Sequence, residues 1–596
     1  FPKGSEISIT LSADVNCDRV WFYLGNDECV FIQREVEALR LASSFSCAVL
    51  LTEKDFPTDN GLYFCHFEFM SNGIRYYTAF DESNNCYAET HFVNETQILI
   101  YDEKYAPPEW LNGKIMYQIF PDRFCKSGTM PDIMGRILRE DWGGEPSFRP
   151  NMYGKVLNND FFGGNFRGIT EKMDYIASLG TTILYLNPIG KAFSNHRYDT
   201  GDYKTPDPML GTMADFSAMC HAAHAKGIKV ILDGVYSHTG SDSIYFDKYQ
   251  HFGGNGAYNS ENSPYHSWYK FYNWPNSYHS WWGFDTLPTV NKMDPAFIKY
   301  IITDEDSVVA HWLNAGADGF RLDVVDEIPD EFVLMLKKRI RQIRPDALLI
   351  GEVWEDASNK SAYGVRRRYF VDGILDSAMN YPFRTAIINF IRGWDNGPGL
   401  KNTIMSIVEN YPPQVVQCNM NLLGTHDTAR ILTTLVDNYE GTREEQSKRF
   451  LSRSQYIIAQ ERLMLASFLQ YTLPGSPSLY YADEAGMEGC KDPFNRRTYP
   501  WGREDRDLLA HFKQLGQLRK NCEPLRLGDI QFFRADDRQV GFTRTWQGKT
   551  VKVYINRGHD LWQIAPGKIL LGHNIRTLGS DCIVMGEKGF CVVEEE

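Results

Sequence analysis

The chain opens with short stretches in which apolar and polar positions alternate. Ile7-Ser8-Ile9-Thr10-Leu11 puts three aliphatic side chains on one face of an extended strand, and Val20-Trp21-Phe22-Tyr23-Leu24 is β-branched or aromatic at four of its five positions. Turn-forming clusters separate such runs: Gly25-Asn26-Asp27, Thr58-Asp59-Asn60-Gly61 and Asp81-Glu82-Ser83-Asn84-Asn85. Short strands at this spacing predict an N-terminal β-sandwich over residues 1–108, with Tyr105-Ala106-Pro107-Pro108 as a linker.

Beyond residue 109 the period changes. Apolar runs now alternate with stretches of helical spacing, such as 214–225 and 331–343. Strands are expected at 114–120, 182–187, 228–235, 318–323, 347–352, 371–375, 421–426 and 476–481. Eight β-α units across 109–522 predict an α/β fold, a (β/α)8 TIM barrel. An open doubly wound sheet is the alternative, and no Gly-x-Gly-x-x-Gly after the first strand supports it. The connection at 238–292 has little periodicity and many aromatics, among them Trp268, Trp281 and Trp282. Loops of that length are uncommon unless functional, so it reads as an inserted subdomain over the barrel mouth. Residues 523–596 return to β pattern at 540–545, 551–555 and 589–594, which suits a C-terminal β-sandwich ending in a solvated Glu594-Glu595-Glu596 tail.

Charge and composition narrow the function. With 62 Lys+Arg against 76 Asp+Glu the net charge is −14, which argues against nucleic acid as a partner. No apolar run approaches the ~20 residues that span a bilayer, so no membrane partner is expected. The 12 cysteines form no Cys-x-x-Cys pair and read as buried thiols of a cytoplasmic protein. Aromatics reach 14 % of the chain, more than enough to leave some for stacking on a flat ligand such as a sugar.

The strand ends carry the chemistry, because a barrel points the C-terminal ends of its strands at the active site. Strand three ends Asp233-Gly234-Val235 and exits at Ser237-His238. Strand four ends Arg321-Leu322-Asp323, strand five ends Gly351-Glu352, and strand seven ends Thr425-His426-Asp427. Like charges gathered on one rim are hard to explain structurally. Arg321 and Asp323 share the inner face of their strand, and the guanidinium is expected to hold Asp323 ionised, as a nucleophile requires. Glu352 follows the apolar run Ala347-Leu348-Leu349-Ile350, a setting expected to raise its pKa and suit a general acid. One ionised and one protonated carboxyl is the arrangement for glycoside cleavage.

At these residues the sequence resembles the α-amylase family of glycoside hydrolases. Asp233-Gly234-Val235-Tyr236-Ser237-His238, Gly319-Phe320-Arg321-Leu322-Asp323, Gly351-Glu352-Val353-Trp354 and Gly424-Thr425-His426-Asp427-Thr428 look like its four strand-end motifs, in order. Ser194-Asn195-His196-Arg197-Tyr198-Asp199-Thr200, Leu287-Pro288-Thr289-Val290-Asn291 and Asp492-Pro493-Phe494-Asn495-Arg496 are similar to the cyclomaltodextrinase, neopullulanase and maltogenic amylase group. That group carries a starch-binding-type sandwich before its barrel.

The resemblance implies a retaining hydrolase of α-1,4-glucosidic bonds in maltooligosaccharides and cyclodextrins, with pullulan and starch as further substrates. The alternatives are an α-glucan transglycosylase, an α-1,6-active relative, and a catalytically inactive glycan-binding protein. It implies that Asp323 is the nucleophile, Glu352 the acid/base and Asp427 the stabiliser of the distorted sugar. Arg321 would orient Asp323, His238 and His426 would hold hydroxyls of the cleaved ring, and Tyr198 would stack beneath it. Asp492 and Arg496 would bind the next glucose, and Trp354 would line the other side of the cut. A homodimer is implied, in which the N-terminal sandwich covers part of the partner's active site. No cofactor is required for the chemistry.

The sequence departs from the family pattern in four places. Ser237 stands where Asn is usual, and Glu355 where this group has His. Phe162-Gly163-Gly164-Asn165 replaces a pattern ending in Asp. Cys125-Lys126-Ser127-Gly128 lacks the Asn/Asp ladder of the family's structural calcium, a hard cation that needs several oxygen ligands, so no metal ligand is named.

Overall fold

The computed structural model describes residues 1–40, 43–58, 60–81, 85–578 and 582–595. Asp59 and residues 82–84 of two expected turns, and Glu596 of the acidic tail, lie outside them.

The centre of the molecule is a ring of eight parallel strands: β1 (Met116–Ile119), β2 (Ile183–Leu186), β3 (Lys229–Gly234), β4 (Gly319–Leu322), β5 (Leu348–Gly351), β6 (Ser377–Ala378), β7 (Met420–Leu422) and β8 (Ser476–Tyr480). They pair in the order β6-β5-β4-β3-β2-β1-β8-β7, and a parallel bridge between Met379 and Met420 joins the two ends. Helices cover the outside, so the strands are buried on both faces and read as apolar runs.

Period two divides each strand between two cores. Met116, Ile183, Tyr185, Ile231, Leu348 and Ile350 fill the barrel interior. Their neighbours Tyr117, Leu184, Val230, Leu232, Phe320 and Leu349 pack beneath the helices. Arg321 falls on the inner face by this alternation, which is what delivers a guanidinium to the barrel mouth.

The sixth strand corrects the expectation for 371–375. Val371, Ile374 and Leu375 are buried, but they pack in a turn against the outer core, with Gly373 at φ 62°. The ladder takes only the next Ser377–Ala378, whose partners are Ile350 and Gly351. A two-residue strand headed by a serine has no apolar pattern to betray it. The seventh strand is likewise shorter than 421–426, and the chain leaves the ladder after Leu422, freeing His426 and Asp427 for the mouth.

The N-terminal region forms two antiparallel sheets. One holds Ile7–Ala13, Phe45–Leu51 and Ala38–Arg40, and the other is built around Arg19–Gly25 and Gly61–Ser71. Phe22, Leu24, Phe45, Val49, Phe67 and Phe69 fill the space between them. The C-terminal region is antiparallel, running Asp529–Ala535, Gln539–Trp546, Lys549–Asn556, Cys582–Glu594 and Trp562–Ile564, with Lys568–Leu578 on Cys582–Glu594.

Between β3 and the next barrel helix the chain forms a small subdomain with one hairpin, Phe271–Asn273 with Ser277–Tyr278. Most of its aromatics pack on themselves, Phe246 against Tyr258, Tyr269, Phe271 and Tyr278. Trp281 and Trp282 alone of its tryptophans reach the barrel mouth. Among the described residues no helix is long and apolar enough to cross a membrane.

Candidate active site

The cleft at the C-terminal ends of the strands encloses about 750 Å³. At its floor Arg321, fully buried, bonds three carboxylates from three strands. One Nη lies 2.6 Å from Asp233 of β3 and 2.9 Å from Asp323, and the other 2.6 Å from Glu352. Asp323 and Glu352 follow directly on β4 and β5, whose register sets Arg321 beside Ile350 and Leu322 beside Gly351. A bidentate guanidinium is rigid and planar, so it fixes the two carboxyls relative to each other.

Glu352 is held from both oxygens. Its Oε2 also accepts the Val324 amide at 2.8 Å, and its Oε1 accepts the Trp354 indole N–H at 3.0 Å. Val324 reaches this position only in the left-handed region, at φ 40°. A β-branched residue is strained there, and the strain aims its N–H at the carboxylate. Trp354 is itself fixed by stacking on Tyr381 at 3.9 Å. The apolar setting expected for Glu352 is therefore corrected. The aliphatic residues before it alternate between core and outer shell, while its own side chain sits among a guanidinium, an amide and an indole.

Arg321 does favour the ionised form of Asp323, as expected, but other groups oppose it. Burial raises the Asp323 carboxyl well above its ordinary range; Arg321 pulls it down, and the carboxylates of Glu352, Asp233 and Asp427 push it up again. One positive charge is divided among too many negative ones. Burial likewise raises Asp427 to about 7, with Glu352 adding to the effect and Arg496 opposing it. Asp233, Asp323 and Asp427 are thus all raised around the one guanidinium.

Around this centre the remaining expected residues assemble. The Tyr198 hydroxyl donates to Asp233 at 2.8 Å and meets the His426 ring. His426 is fixed from its other nitrogen by Gln118 at 3.0 Å. His238 lies between the Ser237 hydroxyl at 3.0 Å and the Tyr198 carbonyl at 3.1 Å. Burial lowers His238 to about 3 and lowers His426 well below its usual value, so both imidazoles are neutral at physiological pH. Neutral imidazoles suit hydrogen bonds to sugar hydroxyls. Arg496 lies 3.0 Å from Asp492 and 3.7 Å from Asp427.

Tyr198, His238, Asp323, Glu352, Trp354, Asp427, Asp492 and Arg496 all line the one cleft, and Arg321 and His426 lie beneath it. Sequence reasoning missed the supports. Asp233 stood in a quoted motif, yet received no role; it gathers Arg321, Tyr198 and, at 2.8 Å, Tyr185. Glu327 carried no signal beyond lying four residues after Asp323.

At the segment where the family pattern holds calcium, the Asn165 side chain accepts from the Gly168 amide and donates to the Ser127 carbonyl. Its oxygen is already used in capping a helix. No group of three or more His, Cys, Asp or Glu side chains that could hold a metal ion is found among the described residues.

Known proteins resemble the chain along its barrel. Residues 118–520 match the α-amylase catalytic domain. An amylopullulanase of Thermoanaerobacter thermohydrosulfuricus is 39 % identical over 495 residues, which is 75 % of this chain and 32 % of the relative. A cyclomaltodextrinase of Geobacillus thermopakistaniensis is 32 % identical over 472 residues, 77 % of this chain and 71 % of the relative. The type III pullulan hydrolase of Thermococcus kodakarensis has a similar structure, with a TM-score of 0.69 and 26 % identity over 100 % of this chain and 97 % of that one. The chain spans 27 % to 40 % of the length of the amylopullulanases it matches. Since the catalytic-domain match runs through every strand end that contributes a carboxylate to this cleft, the chain belongs to the α-amylase family.

Proposed function

We propose that the protein is a retaining glycoside hydrolase that cleaves α-1,4-glucosidic bonds of maltooligosaccharides and cyclodextrins, with Asp323 as nucleophile and Glu352 as acid/base. The observation that carries this reading is Arg321 bonding both carboxyls through its two Nη atoms. That bridge supports the close spacing, about 5–5.5 Å, that retention requires; inverting enzymes keep room for a water between the pair.

In this mechanism Asp323, in the ionised form that Arg321 favours, attacks the anomeric carbon as Glu352 gives its proton to the leaving oxygen. The glycosidic bond breaks and an Asp323–glycosyl ester forms. Glu352, now ionised, takes a proton from water, whose oxygen attacks the same carbon and releases Asp323. The Trp354 N–H and the Val324 N–H hold Glu352 in place through both steps. Asp427 stabilises the oxocarbenium-like charge, Tyr198 lies beneath the ring, His238 and His426 hold its hydroxyls, and Asp492 with Arg496 takes the next glucose. No step needs a cofactor.

A second reading adds α-1,6 bonds, because the relatives named amylopullulanase and pullulan hydrolase share this barrel. The inactive glycan-binding reading fits poorly with a complete set of three carboxylates at one rim. Steady-state kinetics and products on maltoheptaose, β-cyclodextrin, amylose, panose and pullulan test all of these. The expected result is maltooligosaccharide and cyclodextrin cleavage, preferred over long amylose, with the α anomer formed first by NMR. A β anomer, or no release of reducing sugar, overturns the proposal.

A further inference from the structure

The wall of the cleft beyond Glu352 and Trp354 is made by side chains from three separate loops that meet on Glu327. One carboxylate oxygen of Glu327 accepts the Trp281 indole N–H at 2.7 Å. The other accepts the Trp282 indole N–H at 2.7 Å and the Tyr363 hydroxyl at 3.1 Å. The two indoles stack with ring centres 4.3 Å apart. Trp282 and Tyr363 are nonetheless 68 % and 75 % exposed, and both line the cleft. With Trp281 covering one face of Trp282, the exposed area of Trp282 and of Tyr363 leaves ring surface open to a sugar.

Tyr363 sits at the tip of a hairpin, Ser361–Ala362 with Val365–Arg366. It takes φ 53° and Gly364 takes φ 76°, the left-handed pair of a tight hairpin turn. A tyrosine in the place where asparagine or glycine is favoured is strained unless its surroundings hold it.

The N-terminal sandwich does the holding. Asp27 binds Arg366 at the end of the hairpin through two bonds, of 2.6 and 2.9 Å. The same guanidinium lies 5.5 Å from the centre of the Phe64 ring. Gln97 donates to the Ser358 hydroxyl and accepts from the Asn359 amide, both at 2.8 Å, just before the hairpin begins. On the barrel side Lys360 lies 3.1 Å from Asp326. None of Asp27, Gln97 or Arg366 lines the cleft.

We propose that Asp27 and Gln97 of the N-terminal sandwich are positioning residues for the leaving-group side of the cleft. Through Arg366, Ser358 and Asn359 they fix the hairpin that presents Tyr363, which with Trp282 stacks on the glucose units leaving beyond Glu352. The inference rests on the hydrolase reading and adds to it a division of labour. The barrel supplies the chemistry and the donor side, and the N-terminal domain sets how firmly the leaving α-glucan is gripped.

The test compares maltoheptaose with α-maltosyl fluoride, whose fluoride leaves without occupying the leaving-group wall. Loss of ring stacking through Asp27→Ala or Arg366→Ala is expected to lower kcat/KM on maltoheptaose about fivefold, mostly through KM. The fluoride should be turned over as by the unaltered enzyme, and the melting temperature should hold. Tyr363→Ala should give the same selective loss, and adding Asp27→Ala to it should cost nothing more. Equal loss on both substrates, no loss on either, or additive losses in the double variant overturns the proposal. If the unaltered protein hydrolyses neither substrate, the hydrolase reading itself fails and the inference falls with it.

Discussion

Asp318 and Asp323 flank the same short strand, β4, and their surroundings are opposite. Asp318 enters the strand at the bottom of the barrel, fully buried, with His224 at 2.6 Å, Lys229 at 3.1 Å and Arg344 beside it, and it accepts the Val230 amide at 2.8 Å. Burial would raise its carboxyl, but the bonds from His224 and Val230 and the charge of Lys229 lower it. Asp323 leaves the strand at the top and shares the single charge of Arg321 with Asp233 and Glu352. Its carboxyl is raised. At one end Lys229 and Arg344 both face one buried carboxylate, and the group holds strands and helices together. At the other end carboxylates outnumber the cation, and the group is kept away from its electrostatic optimum. That division matches the general barrel rule, with stability built at the bottom and function at the top.

The largest expected effect is on catalysis. Asp323→Asn should lower kcat on maltoheptaose about 10⁴-fold or more, since it removes the covalent route. The same variant should melt no lower than the unaltered protein, because it relieves crowding among the carboxylates. Calorimetry and initial rates on one preparation check both halves. A stable variant with near-normal turnover, or an inactive one that has lost its fold, breaks the contrast between the two ends.

The reverse pattern is expected at the bottom. Asp318→Asn leaves Arg344 without its carboxylate and leaves Lys229 with Asp346 alone, at 3.3 Å, and breaking such a buried cluster costs about 3 kcal/mol of stability. Activity per folded molecule should be unchanged. The pH dependence follows from the lowered folded pKa: the stabilisation from Asp318 is present above its unfolded pKa of about 3.9 and is lost as pH falls through the folded value. Melting temperatures of the two proteins should therefore differ at pH 7 and converge toward pH 3. A difference that persists in acid would assign the loss to packing instead of charge.

The placement of the top-end residues was legible in the sequence, and the illegible part has a physical pattern. Arg321 and Asp323 could be placed on one face because strand periodicity is local. His426 and Asp427 were visible because they stand at an expected strand end, in a segment that resembles a family motif. The environments were not, since they are made by residues far apart in the chain. Asp233 meets Tyr185 and Tyr198 across 48 and 35 positions, and Tyr363 meets Glu327 across 36. The flanks of Glu352 misled for the same reason, because half of that apolar run faces the outer shell. β6 escaped because two ladder residues suffice to close a ring whose sides are already packed.

A smaller effect tests the sign of the top-end electrostatics. Asp427 has its folded pKa raised to about 7. Its neutral form contributes stability that is complete below the unfolded value of about 3.9 and is lost as pH rises through 7. Asp427→Asn keeps a neutral group at every pH. Its advantage over the unaltered protein should be absent near pH 4, grow between pH 4 and 7, and level off above. The side chain is 31 % exposed to the cleft, so solvent screening limits the gain; about 1 kcal/mol is expected. A constant difference across this range would mean that the carboxyl is not raised.

The smallest effect belongs to Glu355, a carboxylate of the same rim that neither end's logic governs. It pairs with Lys360, and its side chain is 63 % exposed. Lys360 also has Asp326 at 3.1 Å, so losing Glu355 leaves the cation with a partner. Water and salt screen an exposed pair, whose contribution is about 0.5 kcal/mol or less. Glu355→Gln should therefore move kcat/KM on maltoheptaose by no more than about twofold and shift melting by about a degree. Any difference should vanish in about 0.5 M salt, where the screening length is shorter than 10 Å. The position still lines the cleft, which is where the comparison can be sharpened. If Glu355→Gln changes the ratio of products from maltoheptaose while leaving the rate alone, and salt does not erase the change, then Glu355 meets a bound sugar directly. The rim would in that case hold carboxylates of two kinds, some crowded around Arg321 for the chemistry and one set apart in solvent to choose among chains.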